Sequence, residues 1–153
     1  MLNNDVLRSL RYTLKVSDAQ MAEIAALGGC TVAEAEVRAW LSREDEDGYQ
    51  ECPDEAMARF LDGLIYFKRG KDESRPAPPL ELPVSNNQIL KKLRVAFELR
   101  DDDLHEILRA ADLPMTKAEL NALFRSPEHK NYRACGDQLL RNFLRGLTQR
   151  QRG

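Results

Sequence analysis

The chain is poor in the residues that most often carry chemistry. Among its 153 residues are two histidines and three cysteines, and aromatic residues make up 7%. Cys30, Cys52 and Cys135 form an odd number with no close pair, which argues against a disulfide framework and favours reduced thiols. No run approaches the roughly 18 apolar residues of a membrane helix. The start lacks a cationic stretch followed by an apolar block, so we expect no signal peptide and a cytoplasmic location.

The overall balance is that of a foldable protein. Hydrophobic residues make up 42% of the chain and charged residues 31%. The 23 Lys and Arg residues nearly balance the 25 Asp and Glu residues, which leaves a net charge of -2. This composition excludes collagen-like and wholly disordered chains, and the length suits one domain or two small ones.

An internal repeat organises the chain. Adding 83 to a residue number in the first half gives a related residue in the second half, and no gap is needed. The clearest matches are Asn3-Asn4 with Asn86-Asn87, Leu10-Arg11 with Leu93-Arg94, Cys52 with Cys135, Asp54 with Asp137, and Phe60-Leu61 with Phe143-Leu144. Such a match indicates duplication of one structural unit, as residues 1–70 and 86–153.

The copies are separated by residues 71–85, which contain four prolines. Proline restricts φ and removes a backbone donor, so neither a helix nor a central strand fits here. We expect a stiff, extended linker. A docking ligand for a partner is the alternative interpretation of this segment.

Hydrophobic spacing predicts an all-α protein with four helices in each repeat unit. In the first unit we expect helices over about 4–15, from Asp18 to the Gly28-Gly29 pair, from Thr31 to Leu41, and over about 53–69. Thr31 and Glu34 have the spacing of a capping box, as do Thr116 and Glu119, although the two pairs are offset by two positions in the repeat. Pro53 suits a first helical position.

Several stretches resemble the YehS-like family of bacterial proteins. They are Leu2-Asn3-Asn4-Asp5 with Leu10-Arg11-Tyr12, Gly48-Tyr49-Gln50 with Cys52-Pro53-Asp54, Gly63 to Glu73, His129 to Gln138, and Phe143 to Leu147. The resemblance covers nearly the whole chain. It implies a bacterial cytosolic protein built from two copies of a domain of unknown function, and it supplies no reaction, ligand or cofactor.

Catalytic and metal-binding patterns are weak. His105 and His129 have Ala22 and Glu46 as their counterparts in the first repeat. Cys52 and Cys135 precede a helix, where a thiol pKa can be lowered, but a small buried residue is the preferred interpretation. The acidic residues 44–47 do not have the spacing of a calcium loop, and their counterparts in the second repeat lack most of the carboxylates.

Residues 18–42 have the profile of a helix-turn-helix. A helix that reads DNA needs cationic and amide side chains, whereas this one carries Glu34 and Glu36 beside Arg38. The counterpart, Lys117 to Arg125, is more permissive. We favour a purely structural role and keep nucleic-acid binding as the alternative.

Charge is divided between the two repeats. Residues 1–70 hold 8 basic and 13 acidic residues, a net charge of -5, and residues 86–153 hold 13 basic and 9 acidic residues, a net charge of +4. A basic patch is predicted from six residues: Lys130, Arg133, Arg141, Arg145, Arg150 and Arg152. It suits phosphate, or docking on the acidic first repeat within the chain or across a dimer, and we favour docking.

Polar residues kept in both repeats form the candidate binding surface. They are Asn4, Arg11, Tyr49 and Asp54, with Asn87, Arg94, Tyr132 and Asp137. A structural interpretation is preferred, with Asn4 and Asp18 as helix caps, Arg11 paired with Asp18 or Asp54, and the Tyr49 hydroxyl turned outward. The functional interpretation is a repeated peptide- or ligand-binding corner.

These observations predict a non-catalytic bacterial interaction or adaptor protein. We expect a protein partner or self-association, including a homodimer, and no cofactor, metal or membrane. The alternative is a nucleic-acid-binding regulator that uses the helix-turn-helix-like segment and the basic second repeat. A thiol-dependent enzyme is the third hypothesis.

Overall fold

In the computed structural model, which describes residues 1–153, eight α-helices and no strands form two compact units. Contacts group Met1–Val84 in the first unit and Ser85–Gly153 in the second. The helices are α1 Asn3–Leu14, α2 Asp18–Leu27, α3 Glu34–Leu41, α4 Asp54–Arg69, α5 Asn86–Ala96, α6 Asp101–Ala110, α7 Lys117–Leu123 and α8 Asp137–Arg152. The predicted all-α class and its duplication are confirmed. None of the helices combines the length and apolar character that a bilayer crossing requires.

The apolar stripes of each unit meet in its own core. Leu10 and Leu93, at equivalent positions of α1 and α5, are both fully buried. Phe60 and Phe143, at equivalent positions of α4 and α8, are also buried. Burying one such side chain stabilises the folded state by about 1.5–3 kcal/mol. The repeat in the sequence is therefore a repeat of packing.

The helix starts differ from the predictions at several positions. Ser17, rather than Asp18, is the N-cap of α2, because its hydroxyl accepts the Gln20 N–H at 3.1 Å. Pro53 is the N-cap of α4 rather than its first helical residue. Asn4 lies inside the first turn of α1, where Leu2 is the N-cap, so Asn4 is not a cap.

The predicted capping box at Thr31 is wrong, whereas the one at Thr116 is confirmed. Helix α3 starts at Glu34 with Ala33 as its N-cap and no capping side chain. Thr116 caps α7 by accepting the Glu119 N–H at 3.1 Å. Ala33 and Thr116 are repeat counterparts, so the two helices start in the same register.

Glycines at the α2–α4 crossing bring two backbones into close contact. A Cβ built on Gly63 would lie 1.9 Å from the Ile24 carbonyl oxygen, and one built on Gly28 would lie 1.8 Å from the Arg59 carbonyl oxygen. The equivalent α6–α8 crossing keeps one of the two glycines, Gly146. Helices can approach this closely only where side chains are missing.

Candidate functional site

Asn4 lies at the centre of a polar corner in the first unit. Its side chain is 1% exposed, and its amide donates to the carbonyl oxygens of Trp40 at 2.9 Å and Gln50 at 2.8 Å. Its Oδ1 accepts the backbone N–H of Cys52 at 3.0 Å. These contacts satisfy both amide protons and the carbonyl oxygen. Asn4 therefore ties α1 to the end of α3 and to the segment before α4.

The second unit repeats this arrangement around Asn87. The Asn87 amide donates to the carbonyl oxygens of Leu123 at 3.0 Å and Arg133 at 2.9 Å. Its Oδ1 accepts the Cys135 N–H at 2.8 Å. A buried backbone group left without such a partner costs about 1–3 kcal/mol. Duplication has preserved a structural tie, which explains why this asparagine occurs in both repeats.

The neighbouring carboxylates belong to the same corner. Asn3 donates to Asp54 Oδ1 at 2.8 Å, and Asn86 donates to Asp137 Oδ1 at 2.8 Å. The other Asp54 oxygen accepts the Val84 N–H at 3.0 Å, which joins the end of the 71–84 segment to α4. Asp54 is thus committed to internal hydrogen bonds.

The predicted Arg11–Asp18 pair is present and is repeated in the second unit. Arg11 Nη1 lies 3.3 Å from Asp18 Oδ1, and Arg94 Nη2 lies 2.8 Å from Asp101 Oδ1. Arg94 also stacks on the ring of Phe124, 4.8 Å from its centroid. Partly exposed ion pairs of this kind contribute up to about 1 kcal/mol. They hold the first helix of each unit to the start of the second helix of the same unit.

Tyr49 departs from its predicted orientation. Its hydroxyl oxygen is buried and has no hydrogen-bond partner, so the outward orientation expected from the sequence is wrong. Desolvation, with Glu44 and Glu51 nearby, raises the pKa of Tyr49 above its ordinary value. Its counterpart Tyr132 is half-buried. Each tyrosine directly precedes a residue of the corner, Gln50 or Arg133, whose carbonyl oxygen accepts from the corner asparagine.

The thiols are placed unfavourably for nucleophilic chemistry. Burial raises the pKa of the Cys52 thiol to about 12 and that of Cys135 to about 11. A nucleophilic cysteine needs its thiolate near neutral pH, which calls for the opposite shift. Cys30 is less buried, but desolvation raises its pKa too. The counterparts of His105 and His129 in the first repeat are Ala22 and Glu46, so neither histidine recurs in both repeats.

No group of three or more His, Cys, Asp or Glu side chains is arranged to hold a metal ion. The acidic residues 44–47 are exposed in the loop after α3. Exposed carboxylates of this kind are stabilised by water, so the loop needs no bound cation to explain its acidic residues.

The helix-turn-helix-like segment has few cations to offer a nucleic acid. Arg38 on α3 is engaged by Glu34 at 3.2 Å and by Asp18 at 3.6 Å. In the second unit α7 ends at Leu123, so Arg125 lies beyond the helix rather than on it. With 7 residues, α7 spans about 10 Å.

The predicted basic patch is divided by the structure. Arg133 pairs with Glu119 at 3.3 Å, and Arg150 pairs with Asp103 at 2.6 Å and with Glu106 at 3.1 Å. The remaining residues are exposed, and three of them share one face of α8 at helical spacing. These three are Arg141, Arg145 and Arg152, and Lys130 lies in the preceding loop.

An open groove of about 300 Å³ lies on the α6–α8 crossing. Ile107, Ala110 and Gly146 form its apolar part. Glu106, Gln149 and Arg150 supply its polar rim. Ala110 and Gly146 contribute no long side chain that could fill it.

The comparisons with known proteins place the chain in a family. The family described as "Protein of unknown function (DUF1456)" matches it twice, over residues 3–70 and 86–153. This chain belongs to that family. The Uncharacterized protein YehS of Escherichia coli (strain K12) is 50% identical over 151 residues, which is 99% of this chain and 97% of YehS. No solved structure matches the chain.

The two DUF1456 repeats have different residues at two exposed positions of the helix crossing. Where the second repeat has Ala110 and Arg150, the first has Leu27 and Phe67, whose side chains are 40% and 44% exposed. Leu27 precedes Gly28 at the close contact of α2 with α4, and Phe67 lies one turn after Gly63. We call these two residues the Leu27/Phe67 patch, and we call the feature formed by Ile107, Ala110 and Gly146 the 107/110/146 groove.

Sequence reasoning missed both features. The predicted surface consists of residues that are the same in both repeats, and such agreement selects for shared packing. A comparison of positions that disagree in polarity while remaining on the surface would have identified residues 27 and 67. The candidate surface therefore moves from the repeated polar corner to the helix crossing.

Proposed function

We propose that this DUF1456 chain is a non-catalytic cytosolic bacterial protein that binds another protein through its Leu27/Phe67 patch. The observation that carries the proposal is the exposure of both apolar side chains at a crossing where the sister repeat has Ala110 and Arg150. A single exposed leucine needs no explanation. Two large apolar side chains are exposed at positions where the second repeat has alanine and arginine, and this favours a selected contact.

The surroundings of the patch suit a protein interface. Glu23 is exposed one turn before Leu27 on α2, and Lys71 lies 5.3 Å from the centroid of the Tyr66 ring, next to Phe67. An apolar centre with a charged rim is the usual composition of a specific interface. Aromatic residues at such a centre often dominate the binding energy.

The internal groups support a binding role over a catalytic one. Asn4 and Asp54 have their hydrogen-bonding capacity used within the fold. Burial keeps the thiols of Cys52 and Cys135 protonated near neutral pH. The groups that remain at the surface offer apolar area and charge.

The experiment is affinity capture from a bacterial lysate with three tagged chains, quantified by mass spectrometry. One is the natural chain, and the second carries Leu27→Ala with Phe67→Arg, which are the residues of the second repeat. The matched control is Tyr12→Val, which replaces an exposed aromatic residue by its repeat counterpart Val95. Circular dichroism establishes that all three fold alike.

We expect the natural chain and Tyr12→Val to retain the same partner, and the double variant to lose it. Equal recovery of every captured protein by all three chains would contradict the proposal. Loss with Tyr12→Val as well as with the double variant would also contradict it, because the effect would then not be specific to the patch.

Nucleic-acid binding is a second candidate, and one observation favours it. Arg141, Arg145 and Arg152 share an exposed face of α8 in a repeat of net charge +4. Binding through phosphates weakens steeply with salt. We expect anisotropy of a labelled duplex or single strand to detect binding at low salt that is lost in Lys130→Gln with Arg141→Gln. Absence of binding at low salt removes this candidate.

A further inference from the structure

The crossing of α2 and α4 is antiparallel. A Cβ built on Gly63 would lie 1.9 Å from the Ile24 carbonyl oxygen, and one built on Gly28 would lie 1.8 Å from the Arg59 carbonyl oxygen. A step forward along α2 is therefore a step backward along α4. The chain that leaves α2 after Gly28 consequently emerges beside the first turns of α4.

Cys30 lies in this emerging segment. Its backbone N–H donates to the Ala25 carbonyl oxygen at 2.9 Å, which folds it back onto the end of α2. A Cβ built on the preceding Gly29 would lie 3.0 Å from a guanidinium nitrogen of Arg59. Desolvation raises the pKa of the Cys30 thiol, and the charges of Arg59 and Glu55 on α4 also act on it. The Cys30 side chain is therefore placed against the first turns of α4.

Cys52 comes to the same place from the other side. It lies two residues before α4 begins at Asp54, it is 5% exposed, and its backbone N–H is held by Asn4 at 3.0 Å. Desolvation is the main cause that raises the pKa of Cys52 to about 12, and the Cys30 thiol is the next, ahead of the Asp54 carboxyl group. Electrostatic effects weaken with distance, so the ranking agrees with the crossing in making the two sulfurs neighbours.

The second repeat keeps the backbone of this arrangement and lacks the pair of thiols. The counterpart of Cys30 is Leu113, which is likewise half-buried and whose N–H donates to the Leu108 carbonyl oxygen at 2.9 Å. Cys135 is the only cysteine of residues 86–153. Because leucine satisfies the packing at this position, packing alone does not call for a cysteine at residue 30.

We propose that Cys30 and Cys52 form a reversible disulfide when the chain meets a peroxide, a property independent of the proposed binding function. The half-buried Cys30 sulfur attacks one peroxide oxygen, the O–O bond breaks, and water leaves a sulfenic acid on Cys30. The Cys52 sulfur then attacks the Cys30 sulfur, the S–O bond breaks, and the hydroxyl leaves with the Cys52 proton as a second water. The two thiols lose two electrons to one peroxide, and a small thiol reverses the bond by exchange.

The test exposes the native full chain to hydrogen peroxide at about pH 8.5, where more of the Cys30 thiol is ionised than at neutral pH. Remaining thiols are blocked with N-ethylmaleimide in urea, and the peptides are mapped by mass spectrometry without reduction. We expect one peptide pair joined through Cys30 and Cys52, with Cys135 recovered as a blocked thiol. Dithiothreitol should separate the pair.

Leu113→Cys is the matched variant, because it gives the second repeat the pair that the first repeat has. We expect it to gain a second cross-link, to Cys135, under the same treatment. Urea unfolding supplies a further readout, since Trp40 is the single tryptophan and lies in the loop that the first cross-link closes. Peroxide should raise the urea midpoint of the natural chain and leave that of Cys30→Ser unchanged.

Three outcomes overturn the inference. A sulfenic or sulfinic acid on Cys30 while Cys52 remains a thiol shows that Cys52 does not reach it. A cross-link that forms in urea and not in the native chain shows that the fold keeps the two sulfurs apart. A native chain whose only disulfide joins Cys30 of two copies shows that the second thiol comes from another molecule.

Discussion

Asn4 and Cys52 are joined across 48 residues of sequence, because the Cys52 backbone N–H donates to Asn4 Oδ1 at 3.0 Å. Asn87 and Cys135 have the same separation and the same bond at 2.8 Å. The bond fixes where the segment before α4, or before α8, enters its helix. It therefore controls the placement of the helix that supplies more buried apolar side chains than any other helix of its unit.

Replacing Asn4 should destabilise the first unit strongly. Asn4→Ala leaves the Cys52 N–H and the carbonyls of Trp40 and Gln50 without partners, and we expect a loss of about 2–4 kcal/mol in the free energy of unfolding. Trp40 is the single tryptophan, so its fluorescence during urea unfolding reports this unit.

Asn87→Ala is the matched comparison, and its effect should be smaller because that corner is more exposed. Far-UV circular dichroism during urea unfolding measures the stability change caused by Asn87→Ala. Equal, small losses at both positions would show that solvent replaces the tie in either unit.

Adding a methyl group at Gly63 should separate α2 from α4. The new Cβ would lie 1.9 Å from the Ile24 carbonyl oxygen, and backbone cannot move aside cheaply, so we expect Gly63→Ala to cost about 3 kcal/mol or more. Gly146→Ala should cost less, because its nearest contact is 2.4 Å, to the Ile107 carbonyl oxygen. The melting temperatures of the two variants show which substitution is the more destabilising.

Gly136→Ala serves as the control for these two substitutions. No atom lies within 4 Å of a Cβ at that position, and its counterpart is Pro53, so the change should stay within about 1 kcal/mol. A penalty at Gly136 as large as at Gly63 would refute the argument from close helix contact.

The start of α3 can be improved with the cap that the second repeat already has. Ala33 is the N-cap of α3 and has no capping side chain, while its counterpart Thr116 caps α7. Glu36 already occupies the position that Glu119 has in the capping box. Ala33→Thr should therefore stabilise the first unit by about 1 kcal/mol.

Thr116→Ala is the reverse change and should destabilise the second unit by a similar amount. Urea midpoints, with Trp40 fluorescence for the first unit and circular dichroism for both, measure the pair. A loss of stability with Ala33→Thr would mean that the loop before α3 cannot adopt the capped geometry.

The cysteines should react in order of their burial. Cys30 is half-buried, whereas burial raises the pKa of Cys52 to about 12 and of Cys135 to about 11. At pH 7.5 we expect iodoacetamide to modify Cys30 first in the native chain, and all three at similar rates in urea. Peptide mass spectrometry identifies the sites, and Cys30→Ser should remove the first phase. Rapid native modification of Cys52 would revive the thiol-enzyme hypothesis.

The buried thiol should also make stability depend on alkaline pH. The pKa of Cys52 rises from 9.0 to about 12 on folding, so above pH 9 the unfolded thiol loses its proton while the folded thiol keeps it. The unfolded state then binds fewer protons, and stability falls as pH rises, by at most about 1.4 kcal/mol per pH unit. Cys52→Ala should flatten the urea-midpoint profile between pH 9 and pH 11 relative to the natural chain. Identical slopes would contradict the expectation.

Helix class and number were predictable because they depend on local spacing. Apolar residues such as Leu10 and Phe60 belong to series with helical spacing. The gapless repeat shows each of these series a second time, in the other copy. The start of α3 was mispredicted because Thr31 and Glu34 have the right spacing for a capping box. The offset between this pair and Thr116–Glu119 in the repeat already indicated the correct start after Ala33.

The amino-acid sequence by itself determined eight helices, their duplication, and the opposite charges of the two repeats, because these follow from periodicity and composition. Only the tertiary structure decided that Asn4 is an internal tie, that the Tyr49 hydroxyl is buried, and that Leu27 and Phe67 are exposed beside a close helix crossing. These properties depend on which backbone groups and side chains from distant segments come together. Residues 4, 40, 50 and 52 meet only after the chain has folded, and no local pattern encodes that meeting.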